Sequence, residues 1–248
     1  SFMRIGLESD YSKNGKLKIE PVFRFKLDLP TVEERLKLVF ESDVPEQKDL
    51  EETNLDASQA NEERVRRTTT GALKFIFDSA KKWQTSTSIG VRIHNPPNPF
   101  WRSRVRRSWK LRSDWGLNTE QKFYYFHEDG WGETTQFTFG KAIHSYFFTS
   151  KSEARWQHSE RTMEFSQVFT TKKKLSSIRA IKYNVGILAK NKPNVSVTNY
   201  YLNMAYRRLI YKEWLFYEAT PELLFPKENS FKANPSIFFR LEVVFSKF

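Results

Sequence analysis

Cysteine is absent from the 248 residues, which removes thiol catalysis, cysteine-ligated metal and disulfide bonds together. Also missing is any run near the roughly 18 consecutive apolar residues that a membrane-spanning helix needs. No segment shows a convincing helical period, and the polar stretch PEQKDLEETNLDASQANEERVR reads as a long loop rather than a helix. Acidic residues are scarce: 29 against 41 Lys and Arg give a formal charge of +12, which attracts nucleic acid, anionic headgroups or acidic solutes alike. The mean hydropathy of −0.65 would ordinarily point to a soluble protein. That inference fails for any wall in which only every second residue is apolar.

The segment KLKIEPVFRFKLDL shows such a wall. Leu17, Ile19, Phe23, Phe25, Leu27 and Leu29 alternate with Lys16, Lys18, Glu20, Arg24, Lys26 and Asp28. This is the period of a strand with one apolar face. The pattern recurs: Leu36, Leu38 and Phe40 alternate with Arg35, Lys37 and Glu41, and Leu73, Phe75 and Phe77 share a face opposite Lys74 and Asp78. In FWRSRVRRSWKL, Trp101, Val105, Trp109 and Leu111 oppose Arg102, Arg104, Arg106 and Lys110, with Arg107 falling on the apolar side. The later segments QKFYYFHE, TQFTFG, MEFSQVFT, TNYYLNMAYRR and SIFFRLEVVF carry the aromatic and β-branched residues that strands favour.

Turn signals such as DYSKNG, NPPNP, EDGWG, NKPN and FPKENSF separate these segments in order, as in a meander. The expectation is an all-β protein: a single antiparallel up-and-down transmembrane β-barrel over 1–248, with about fourteen strands in a range of roughly 12 to 16. Both termini fall on one side, taken as periplasmic, and the polar loop at about 43–68 falls on the other, taken as extracellular, because outer-membrane barrels put their longer loops outside. A soluble sandwich alternates in the same way. Aromatic residues crowded near strand ends, long strands, and charged faces biased to Lys and Arg favour the barrel.

The last stretch, SIFFRLEVVFSKF, carries Phe239, Leu241, Val243 and Phe245 in alternation and ends on Phe248. It looks like the C-terminal aromatic signal of bacterial outer-membrane barrels. With WGET and WLFYE, the second half of the chain resembles a group of poorly characterised proteobacterial outer-membrane β-barrel proteins. That resemblance implies the fold and the outer membrane as location. Its implied partners are outer-membrane lipids, lipopolysaccharide and the barrel assembly machinery, beside an envelope partner of unknown identity. It brings no catalytic residues.

On this layout Phe23, Phe25, Leu27, Phe75, Phe77, Trp101, Trp109, Phe239, Leu241, Val243 and Phe245 face the membrane. Arg24, Lys26, Lys74, Arg92, Arg102, Arg104, Arg106, Lys110, Arg155, Lys182 and Arg240 line the lumen, where they would bind anions. The function expected is a small channel with a basic, anion-favouring lumen for small or acidic solutes. Rows of Arg with Tyr124, Tyr201 and Trp214 suggest a track for acidic sugars. Interior charges that satisfy one another would give a plugged structural or partner-binding barrel instead.

An outer-membrane enzyme is disfavoured: His94, His127, His144 and His158 form no nucleophile–base constellation, and His144 and Ser145, if in a strand, would point to opposite faces. A soluble β protein binding nucleic acid through RVRRSWKLR is a further alternative, disfavoured because the basic residues recur on nearly every strand. No ligand-spaced cluster suggests a metal, and no motif suggests a cofactor.

Overall fold

The computed structural model describes residues 2–12, 17–28, 36–42, 69–79, 83–93, 96–212 and 214–246. They form fourteen strands: β1 (Phe2–Ser12), β2 (Leu17–Asp28), β3 (Leu36–Ser42), β4 (Thr69–Ser79), β5 (Trp83–Ile93), β6 (Asn98–Lys110), β7 (Gly116–Phe126), β8 (Gly130–Ile143), β9 (Tyr146–Gln157), β10 (Thr162–Ser176), β11 (Arg179–Lys190), β12 (Ser196–Tyr211), β13 (Leu215–Pro226) and β14 (Asn234–Ser246). Each strand pairs antiparallel with its sequence neighbours, and β1 closes the ring on β14 with Phe2 opposite Ser246 and Ser12 opposite Ser236. Closure leaves no unpaired edge, the condition a sheet must meet to span a bilayer.

Both described chain ends lie at one rim, here the terminal rim, where the short turns 144–145 and 177–178 also fall. The distal rim carries the connections 127–129, 158–161, 191–195 and 227–233, and the strand ends Ser42 and Thr69. The long polar stretch 43–68 lies outside the described residues.

The outer wall is apolar and exposed: Leu7, Ile89, Phe137, Val185, Leu202 and Leu241 all stand out from it. All seven tryptophans sit at its two margins. Trp101, Trp131 and Trp156 lie toward the distal rim, with Trp101 packed edge-on to Trp131 at 6.1 Å. Trp83, Trp109, Trp115 and Trp214 lie toward the terminal rim. Indole rings belong at a membrane interface, apolar in body and polar at one edge. Arg107, the residue out of phase in the sequence, sits between two of them, its guanidinium 4.8 Å from the Trp83 ring and 4.8 Å from Trp109. In a bilayer, a cation stacked at that level would meet headgroups rather than acyl chains.

The interior is layered. Toward the distal rim, Phe100, Tyr124, Phe126, Tyr201 and Phe238 point inward and are all but fully buried. Two of these rings need glycine beside them. Tyr124 pairs across the sheet with Gly132 and Tyr201 with Gly186, and a Cβ on either glycine would overlap the tyrosine ring. The rings lie flat against bare backbone, which locks the wall in place. Below this layer the inward positions become charged.

Candidate lumenal site

The charged belt begins where the aromatic layer ends. Arg102 lies 5.9 Å from the Phe100 ring and Arg240 5.8 Å from Phe238, both toward the terminal rim, whereas Arg92, 6.0 Å from Phe126, stands at the distal end of β5 opposite Asn98. Alternation on β6 and β7 then brings four cations around the carboxylate of Glu120 or beside it. Arg104 Nε stands 3.5 Å from Glu120 and Lys122 Nζ 3.4 Å, while Arg106 donates to it from Nε and Nη2. Arg102 is next along, its Nε donating to Ser88 Oγ at 3.4 Å. Glu120 is 6% exposed, whereas the Arg106 side chain is 40% exposed. The carboxylate is thus buried beneath its partners and the guanidinium reaches open space.

Further round the ring, β9 to β14 repeat the scheme with better balance. Glu153 is flanked by Lys151 at 3.3 Å and Arg155 at 3.9 Å, and Glu164 by Lys190 at 3.1 Å. Arg207 donates to Glu242 at 2.6 Å, lies 3.9 Å from Glu218, and stacks on Phe216 at 4.5 Å. A polar chain links four strands beside it: Thr170 donates to Asn184, Asn184 to Asn203, and Asn203 to Glu222 at 2.7–2.9 Å. Buried charges that are paired and hydrogen-bonded hold position firmly, because each depends on its partner.

At the terminal rim the balance shifts again. A cavity of about 420 Å³ is lined by Lys172, Lys174, Arg179, Lys182 and Arg207, with Glu218 the single carboxylate in its wall. Lys172 and Lys174 make no ion pair among the described residues. Cations without matching carboxylates lower the energy of an anion nearby.

Arg92, Arg102, Arg104, Arg106, Arg155, Lys182 and Arg240 are on the inward face, with Arg155 and Arg240 nearly fully buried; Lys110 is exposed at the terminal rim. Trp101, Trp109, Phe239, Leu241 and Val243 are on the outward face. The side chains of Arg24, Lys26, Lys74, Phe23, Phe25, Leu27, Phe75, Phe77 and Phe245 lie outside the described residues, although the backbone of each belongs to a strand. The sugar track is not assembled as the sequence suggested. Tyr124 and Tyr201 are buried to 0% and 2% exposure, and Trp214 packs on Tyr211 at the terminal rim, 5.5 Å away. His144 and Ser145 form a turn rather than part of a strand, while His127 and His158 lie in distal connections and His94 lies outside the described residues. Lys172, Lys174 and Glu120 matter to the site, although sequence reasoning did not single them out.

No family model matches the chain, and no curated protein matches it in sequence. Its likeness is to solved structures. One, described as a bacterial polysaccharide outer membrane secretin, is 12% identical, with 99% of this chain and 98% of that one aligned at a TM-score of 0.56. Another, OmpT, an outer membrane protein of Vibrio cholerae folded in vitro, is 7% identical over 99% and 97% of the two chains at a TM-score of 0.58. At such identity the likeness shows the fold alone. The chain is a closed antiparallel β-barrel of the transmembrane type found in bacterial outer membranes.

Proposed function

We propose that this barrel spans the outer membrane of a Gram-negative bacterium and serves as a small channel whose interior favours anions. In this reading the whole chain is one barrel domain, the terminal rim is periplasmic and residues 43–68 are extracellular. The barrel assembly machinery inserts it among lipopolysaccharide and phospholipid. The observation that carries the proposal is the grouping of cations on the inward wall among the described residues: Arg104, Arg106 and Lys122 gather at the buried carboxylate of Glu120, with Arg102 next along, and Lys172, Lys174 and Lys182 line the cavity at the terminal rim. Such a lining lowers the barrier for chloride or small carboxylates and raises it for cations.

The test is conductance of the purified protein in planar bilayers, with the reversal potential read under a salt gradient. Anion-selective steps that lose selectivity in an Arg102→Gln, Arg104→Gln, Arg106→Gln triple variant are expected. Cation-selective steps would overturn the proposal. One observation favours a second reading, a plugged barrel with a structural or partner-binding role: the inward layer of Phe100, Tyr124, Phe126, Tyr201 and Phe238 is closely packed. Inserted but silent protein is the outcome that reading requires.

A further inference from the structure

The outer wall is not uniform. Among the described side chains, β1, β11, β12 and β14 carry Leu7, Val185, Leu202 and Leu241 on this wall, whereas from β7 to β10 Gln, Ser and Thr interleave with the exposed rings of Phe123, Phe137, Phe165 and Phe169. Gln121 on β7, Thr135 on β8, Ser150 and Ser152 on β9 and Gln167 on β10 all point outward near the middle of their strands, between the two tryptophan margins. They form two bonded groups. Thr135 Oγ1 donates to Gln121 Oε1, while Ser152 Oγ donates to Gln167 Oε1 and Gln167 Nε2 donates to Ser150 Oγ at 2.9 Å. The Gln121 amide nitrogen donates to nothing among the described residues.

Such a belt is costly against acyl chains. An amide left without a partner in hydrocarbon costs several kcal/mol, and small hydroxyl-bearing residues leave a shallow strip that lipid fills poorly. Within membranes both features mark protein contact: small residues let walls approach, and polar side chains bond across the gap. On the reading that this wall lies in a bilayer, on which the inference rests, we propose that the β7–β10 belt is where a second copy of this chain docks.

The chemistry of the belt selects a copy. Gln121 presents unused donors, and the hydroxyl and carbonyl oxygens of Thr135, Ser150, Ser152 and Gln167 present acceptors, so the strip complements itself. Copies inserted in the same direction hold their belts at the same depth, which puts donors level with acceptors without any vertical shift. Four strands at roughly 4.8 Å spacing span about 19 Å. Over an apolar band about 25 Å tall this gives roughly 480 Å² per partner, the size of a small interface.

The absence of native cysteine makes the contact easy to test, since an introduced thiol is the only one present. Ser152→Cys alone, Thr135→Cys mixed with Ser152→Cys, and a control Leu7→Cys on β1, seven strands around the ring, are oxidised mildly in lipid vesicles. Heat-modifiable gel mobility confirms that each is folded. Disulfide-linked pairs at the belt and none at Leu7 are expected, together with loss of the wild-type oligomer, sized by light scattering in detergent, in a Gln121→Leu, Gln167→Leu variant that stays folded. An inserted wild type with monomer mass, or equal crosslinking on both walls, overturns the contact alone, as do belt adducts formed only with a different protein in native membranes. A folded wild type that does not enter vesicles refutes the membrane reading and removes this contact with it.

Discussion

Replacing Glu120 with glutamine should weaken the barrel and, on the proposed channel reading, sharpen a preference for anions at once. The carboxylate is buried between Arg104 at 3.5 Å and Lys122 at 3.4 Å, with Arg106 donating to it from the lumen side. At an effective dielectric constant near 20, each of the first two contacts is worth about 5 kcal/mol before desolvation. The Arg106 contact is discounted, because that side chain is 40% exposed and its charge is screened. Burial of the carboxylate offsets much of the gross attraction, and removing one partner of such a cluster typically costs roughly 3–5 kcal/mol. Glutamine keeps the volume and one acceptor, which places the expected loss near the lower end of that range. The same change adds one positive charge to the cluster. Urea unfolding in vesicles should therefore report the loss of stability, while the reversal potential of the surviving channels moves further toward the anion limit. A loss below the roughly 0.5 kcal/mol usual for surface changes, with no shift in potential, would refute the argument, since the carboxylate would then be neither buried among cations nor near the permeating ion.

Two further substitutions probe the wall itself. Gly186→Ala drives a methyl group into the Tyr201 ring and should cost about 1–3 kcal/mol by overpacking; an unchanged urea midpoint would mean that the ring does not lie on the glycine. Leu241→Arg sets a cation on the outward face near mid-strand, at a cost of roughly 2–4 kcal/mol where acyl chains surround it. Lys174→Gln at the terminal rim should stay within about 0.5 kcal/mol of wild type, and equal losses from both would contradict the assigned faces.

Alternation made the ring legible because a strand's two faces demand different chemistry, so a barrel wall is written into the sequence residue by residue. The interior was less legible for a related reason. An apolar residue on the outward phase, such as Leu241, announces lipid. An aromatic on the inward phase looks the same in composition and is easily taken for part of the wall. The distinguishing signal is the doublet: Phe100–Trp101, Tyr124–Tyr125, Tyr200–Tyr201 and Phe238–Phe239 each place two adjacent rings where alternation allows only one to face out. In each pair one member is buried inside and the other is exposed or only partly buried on the wall. Opposite Tyr124 and Tyr201 the neighbouring strand supplies glycine, a cross-strand fact that needs the register and cannot be read along one segment. The Glu120 cluster is likewise a product of register, since Arg106 pairs directly with Glu120 and Arg104 with Lys122.

On the proposed channel reading, the aromatic layer and the cations of β6 and β7 separate how much passes from what passes. In that reading, ions entering from the distal rim would meet the rings of Phe100, Tyr124, Phe126, Tyr201 and Phe238 before the cations of β6 and β7. Tyr201→Ala removes one of those rings, 2% exposed and packed against Gly186, at a stability cost on the order of 3–5 kcal/mol. Provided gel mobility shows the variant folded, its conductance should rise with the widened gap. Its reversal potential should stay where the wild type's is, because no charge has been altered. In the Arg102, Arg104, Arg106 variant the opposite pairing is expected, a lost selectivity with little gain in current. Unchanged conductance in Tyr201→Ala would show that the ring lies off the permeation path. A shifted reversal potential there would show that the two layers do not act separately, so that ring packing positions the cations that select the ion.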